Sequence, residues 1–278
     1  MSILSQIFAT RQIRALKAVF ASLLAVIELL GVAIFDTAQT PRGQNLNLSG
    51  YKIVFEDNFN GTALDTSKWE YRGNGARSGG FMSPNQVFLD NGNLVIRAEY
   101  KNAGDYGAGW YTGMIRTVKE YTKGYFECRC ICSKGGGFWS AFWMNSPGMT
   151  AEASNGGIGG AEIDIFEAFN YTTTFNYNSV SLNVHVGGYG PSLQSENIGS
   201  YKVKNPYTEY NTYGLEWNGD QYIFYINGVE CVSSTFKNGV SQGLEYVILS
   251  LEPPKEATEK PGFSTDFIIN YVKIYQKI

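Results

Sequence analysis

From residue 46 onward the chain is a succession of short apolar runs, rich in β-branched and aromatic residues, each closed by a turn signal. Asp90-Asn91-Gly92, Asn218-Gly219-Asp220 and Asn227-Gly228 are the plainest breaks. Asn, Asp and Gly tolerate the left-handed backbone that a tight reversal requires. The runs predict strands over residues 52–59, 86–89, 93–100, 113–117, 124–132, 139–145, 161–169, 179–185, 211–217, 221–226, 246–251 and 267–276. No long amphipathic helix and no internal repeat interrupts them. Abundant glycine turns and short strands point to an all-β sandwich or barrel, and their spacing is that of a sandwich. With 44% hydrophobic and 15% aromatic residues, the segment 46–278 can bury one sizeable core as a single domain.

Residues ahead of that domain read differently. Arg11, Arg14 and Lys17 precede an apolar stretch over 18–35 that carries one charge, Glu28. A basic region followed by an apolar one is the pattern of a secretory signal, and Gly31-Val32-Ala33 supplies small residues for cleavage after Ala33. The stretch is also long enough for an uncleaved anchor. Glu28 near its middle would cost about 2.5–3.5 kcal/mol in a bilayer, which favours a cleaved signal. The expected organisation is therefore a signal or anchor over 1–33, a polar linker over 34–45 and a secreted domain over 46–278. Membrane contact is expected only if the N-terminal segment is retained. A net charge of −3 gives no electrostatic footprint for nucleic acid, and a monomer is expected.

Four cysteines are present. Cys128, Cys130 and Cys132 alternate along one predicted strand, so they share a face and cannot readily pair with one another. Pairing of Cys231 with one of them stays open. No histidine lies nearby and no turn separates the sulfurs, which argues against a metal site. The remaining reading is three small apolar side chains in the core.

One run does not fit a purely structural role. Glu162-Ile163-Asp164-Ile165-Phe166-Glu167 places three carboxylates in an apolar strand, where charges are rarely buried without a purpose. Alternation puts Glu162 and Asp164 on one face. Glu167 would fall on the other unless a bulge near Ile165 or Phe166 returns it, and bulges are common beside active sites. The chemistry suggested is a pair of carboxylates acting as nucleophile and acid/base, with a third tuning them. A solvated edge strand with a polar face is the alternative.

The order of motifs resembles the family-16 glycoside hydrolases, which include laminarinases, lichenases, agarases and carrageenases. The resemblance runs from Phe55-Glu56-Asp57-Asn58-Phe59-Asn60-Gly61 through Gly92-Asn93-Leu94-Val95-Ile96-Arg97-Ala98 and Trp139-Ser140-Ala141-Phe142-Trp143-Met144. It continues with the acidic hexapeptide, Tyr213-Gly214-Leu215-Glu216-Trp217 and Phe224-Tyr225-Ile226-Asn227-Gly228. It implies a jelly-roll β-sandwich (concanavalin A-like) with a concave, sugar-binding face. It also implies Glu162 as nucleophile, Glu167 as acid/base and Asp164 as their partner. Phe166 is the residue that lengthens the motif to the bulged, laminarinase-like form. No cofactor is implied for catalysis. Many family members hold a structural calcium through an Asp of the last strand, and Asn270 stands there in this chain, which puts that ion in doubt.

Sugar-binding residues are expected around the acids. Trp139 and Trp143 share a strand face and would serve as stacking platforms, with core packing as the alternative. His185, the one histidine, shares a face with Asn183 and is expected in the cleft. Glu252, at the end of a strand, is expected at the cleft edge. Asn85 and Arg116 resemble family cleft positions. The expected activity is a retaining endo-β-glucanase acting on β-1,3- or mixed β-1,3-1,4-glucan. Galactan hydrolysis (agar, porphyran or carrageenan), transglycosylation and a non-catalytic lectin are the alternatives. A sulfated substrate would call for several cations in the cleft, where only Arg116 and Arg77 are visible candidates.

Overall fold

The computed structural model describes residues 37–150, 155–169, 171, 176–256 and 258–278; the expected signal or anchor and residues 34–36 lie outside them. One compact unit spans Ala38–Thr173 and Tyr177–Ile278. Its strands, in chain order, are β1 (Tyr51–Asp57), β2 (Trp69–Tyr71), β3 (Gly75–Arg77), β4 (Gly80–Met82), β5 (Val87–Asp90), β6 (Asn93–Gly104), β7 (Gly107–Thr112), β8 (Met114–Thr117) and β9 (Gly124–Ile131). They continue with β10 (Trp139–Asn145), β11 (Glu162–Ala168), β12 (Ser179–Val186), β13 (Gln194–Lys202), β14 (Asn211–Trp217), β15 (Tyr222–Ile226), β16 (Val229–Ser234), β17 (Tyr246–Glu252) and β18 (Ser264–Lys277). No described helix is long and apolar enough to cross a membrane.

The strands form two sheets. The larger runs β16-β15-β14-β9-β18-β6-β7-β4-β3, with β1 on β18 and β5 on β6. The smaller runs β13-β12-β11-β10-β17-β8-β2 and carries the acidic strand near its middle. Pairing is antiparallel except between β4 and β7. Between the sheets lies a core in which Phe126, Phe142, Phe166, Tyr213, Leu215, Trp217 and Phe267 are fully buried. Cys128 and Cys130 on β9, and Cys132 just past its end, point into this core and are buried, and all four cysteines are free thiols.

All twelve expected runs lie on strands, with ends shifted by a few residues. Residues 38–45 of the expected linker, with Leu46, border both sheets: Gln39 bridges Tyr201, Asn45 bridges Val229, and Gly43 and Leu46 donate to the carbonyls of Glu230 and Gly228.

Asn270 is the bulged residue of β18, between Ile269 and Tyr271 in the ladder to β9. Its side-chain oxygen accepts from Arg129 Nη1 at 2.8 Å, and the Arg129 guanidinium also lies 4.3 Å from the Tyr210 ring. A fixed positive charge already holds the oxygen that a calcium would need, and the carboxylate is missing. The residues at this position do not fit a calcium ion.

Candidate active site

Strand β11 enters the sheet between β10 and β12. Glu162 pairs with His185 and Asp164 with Asn183, but Glu167 pairs with Ser181, so three steps on β11 match two on β12. The same irregularity appears against β10, where Trp143 opposes Asp164 and Phe142 opposes Phe166. Ile165 is therefore the unpaired residue of that ladder, rather than Phe166, which keeps its partner. The bulge turns both Ile165 and Phe166 into the core, where Phe166 stacks on Tyr213 at 3.9 Å between ring centroids. It leaves Glu162, Asp164 and Glu167 facing the same open cleft of about 360 Å³. Directly before β11, the Ala161 amide donates to Oε1 of Glu245, a fully buried carboxyl that burial pushes up to about 8.

The three carboxyls meet different surroundings. Glu162 Oε2 accepts from Asn145 Nδ2 at 3.0 Å and from the Tyr189 hydroxyl, which itself contacts Asn145 Nδ2. Asp164 is 5% exposed and lies 3.1 Å from His185 Nε2. Burial, then the charges of Glu162 and Glu252, hold its carboxyl well above the usual range. Glu167 accepts from Trp139 Nε1 at 3.0 Å and from Asn183 Nδ2 at 2.6 Å. Burial first, then the nearby Asp164, pushes Glu167 up to about 8, against the opposing pull of Asn183 and His185. A proton donor thus stands three positions along the strand from Asp164, and five from Glu162, on a shared face. That arrangement suits proton delivery to a leaving oxygen and attack by a second carboxylate.

Of the expected sugar-binding residues, Trp139, Trp143 and Glu252 line the cleft. Trp139 and Trp143 do share a face, together with Ala141. Trp143, however, is 6% exposed, its indole N–H donates to Ser250 Oγ at 3.1 Å, and the Arg72 guanidinium lies 5.3 Å from its ring. Its open face is taken by a cation, so Trp139 is the better platform. His185 sits against the acids, with Nδ1 held 2.6 Å from Ser195 Oγ. Glu252 clamps Arg77 through two contacts of 2.6 and 3.0 Å. Two residues depart from expectation. Asn85 is exposed on the short turn Pro84–Gln86, donates to Asp105 and does not line the cleft. Arg116 is paired with Glu70, lies over Tyr246 at 4.4 Å and is also outside the lining.

Three residues that sequence reasoning passed over shape the site: Arg72, Asn145 and Tyr189. Arg72 and Arg77 flank the glycine-rich segment Gly73-Asn74-Gly75-Ala76, and Tyr189 sits in Gly187-Gly188-Tyr189-Gly190. A large side chain set among glycines was the available signal. As for metals, Glu162, Asp164 and His185 offer ligand atoms within 4.8 Å of one another, the one such group among the described residues. Each of the three already has a polar partner inside the site.

A sandwich whose concave face carries a buried carboxyl held above its usual range and a second, hydrogen-bonded carboxyl five positions away on the same strand is the architecture of a glycosidase. The chain belongs to glycoside hydrolase family 16, enzymes of O-glycosyl bond hydrolysis: residues 53–249 match the family described as beta-porphyranase A-D, GH16 domain. It is 29% identical over 65% of its length to glucan endo-1,3-beta-glucosidase A1 of Niallia circulans and 27% identical over 64% to beta-porphyranase B of Zobellia galactanivorans. The chain spans 29% and 66% of the lengths of those two proteins. In structure it is similar to a non-specific endo-β-1,3(4)-glucanase of family GH16, with a TM-score of 0.69, 24% identity and coverage of 87% of this chain and 98% of that one. This likeness establishes the jelly-roll sandwich.

Proposed function

We propose that the domain is a retaining endo-hydrolase of β-linked polysaccharide, with β-1,3-glucan or mixed β-1,3-1,4-glucan as substrate. The observation that carries this reading is the bulge, which brings Glu162, held by two donors, and Glu167, pushed up by burial, to one cleft face. Glu162 attacks the anomeric carbon while Glu167 gives its proton to the departing glycosidic oxygen. The resulting glycosyl ester is hydrolysed by a water that Glu167, now a carboxylate, deprotonates. Asp164, whose carboxyl burial and then the charge of Glu162 hold well above the usual range, lies between the two on the same face. The relationship to glucan endo-1,3-beta-glucosidase A1 supports the glucan assignment.

A second reading is a galactan, sulfated or neutral. Arg72 and Arg77 both line the cleft, more cationic character than a neutral glucan requires, and the matching family description is of porphyranase type. One experiment separates them. The purified domain is incubated with laminarin, lichenan, barley glucan, porphyran, agarose and carrageenan, and reducing ends and product anomers are followed by NMR. Glucan oligosaccharides released first as β-anomers support the leading reading; release from porphyran alone replaces it with the second. No product from any of the six overturns both. Longer products at high acceptor concentration would reveal transglycosylation on the same machinery. Secretion as a monomer, with no cofactor for catalysis, belongs to the same proposal.

A further inference from the structure

The two oxygens of Glu162 are not equivalent. Oε2 is held by two donors, the Asn145 amide at 3.0 Å and the Tyr189 hydroxyl. Oε1 is turned toward His185 Nε2 at 3.8 Å, beyond hydrogen-bond reach. Tyr189 reaches Glu162 from a loop that follows β12. Gly187 and Gly188 take positive φ values of 89° and 78°, and a Cβ at Gly187 would lie 2.2 Å from the Ser192 carbonyl oxygen. The loop is thus shaped by glycines to bring one tyrosine over the cleft. Although 52% of Tyr189 is exposed, its hydroxyl end lies against Glu162 in the cleft and is partly desolvated there. That burial, and then the Glu162 charge, push its pKa well up, so it remains a donor.

We propose that Tyr189 is a positioning residue that, with Asn145, fixes Oε1 of Glu162 as the attacking atom and Oε2 as the carbonyl oxygen of the glycosyl ester. The proposal rests on the retaining reading above. In the first step an Oε1 lone pair forms the bond to the anomeric carbon. The glycosidic bond breaks with its electron pair going to the leaving oxygen, which takes the Glu167 proton. The carboxylate charge disappears as the C=Oε2 bond becomes localised. In the second step water, losing a proton to Glu167, attacks the anomeric carbon, the bond to Oε1 breaks, and its electron pair returns to Glu162. Negative charge then reappears across Oε1 and Oε2, and two donors are already aimed at Oε2. Such donors stabilise the departing carboxylate and therefore favour breakdown of the ester over its formation.

The test is Tyr189→Phe in the full chain, assayed on whichever of the six polysaccharides the wild type cleaves. Hydrogen bonds to charged groups set the scale, and kcat is expected to fall between about tenfold and a hundredfold. KM is expected to fall with it, because the ester becomes the accumulating species. Intact-protein mass spectrometry at steady state should show the variant carrying one covalent glycan while the wild type is free. Tyr189→Ala, which also removes the ring, keeps the accumulation and adds a rise in the substrate concentration needed for labelling. An unchanged kcat in Tyr189→Phe, or a lowered kcat with raised KM and no covalent species, overturns the proposal alone. A wild type that cleaves none of the six overturns the retaining reading and this proposal with it.

Discussion

The two ends of strand β11 use the same residue type for opposite purposes. At the start, Glu162 is met by two donors, Asn145 and Tyr189. At the end, Glu167 is pressed among Trp139, Asn183 and the neighbouring Asp164, and burial outweighs its two hydrogen bonds. Donors favour a carboxylate, whereas burial favours a carboxylic acid. Identity along the strand therefore says little about role; the flanking strands assign it. Strand β10 supplies Asn145 to one end and Trp139 to the other, six residues apart.

The largest expected effect breaks the comparison at its nucleophilic end. Glu162→Ala should lower kcat by more than about 10⁴-fold, the scale on which covalent nucleophiles are lost, and a variant with undiminished activity would reverse the assignment. Glu167→Gln should cost about 10²–10⁴-fold on polysaccharide. It should be far less damaging on an aryl glycoside whose leaving group needs no proton. Wild-type kcat/KM should decline as pH rises through about 8, as the Glu167 proton is lost, and this limb should vanish in Glu167→Gln on the aryl substrate. Stability offers a smaller effect. The folded carboxyl of Glu167 titrates at about 8 and the ordinary one at 4.5, so its favourable contribution is whole below pH 4.5 and is lost as pH rises through 8. Melting curves should therefore show Glu167→Gln gaining on the wild type as pH rises across that window. Smallest of all is the calcium test. An ion at hundredfold excess over its Kd adds about 2.7 kcal/mol, whereas here EDTA should leave the melting temperature unchanged, because Arg129 already holds Asn270.

Much of this was legible in the sequence because it is periodic. The acidic strand, its need for a bulge, and the shared face of Cys128, Cys130 and Cys132 follow from alternation. What escaped had no apolar period to read. Strands β3 and β4 are three residues each, and β13 begins with four exposed residues, Gln194-Ser195-Glu196-Asn197. Strand β7 opens on Gly107-Ala108-Gly109. Such edges are defined by the partner they hydrogen-bond rather than by their own side chains. The partners of the cleft cations were hidden for a related reason: Arg77, already a candidate, finds its carboxylate in Glu252, 175 residues away, and Arg72, which was missed, its platforms in Trp143 and Tyr246. Asn85 and Arg116 fell short of the cleft because nearer acids, Asp105 and Glu70, claimed them.

The bulge at Ile165 also bears on how such a strand can change over evolutionary time. Elsewhere in a sheet, removing one residue turns every later side chain to the wrong face. Here the deletion would restore plain alternation: Glu162, Asp164 and the former Glu167 would still face the same way. What would go is one apolar residue from the core side, together with the seating of Phe166 on Tyr213. The strand can thus gain or lose a codon while its acids keep their orientation. Drift in length at this point would act on core packing and carboxyl spacing, not on which face the acids take.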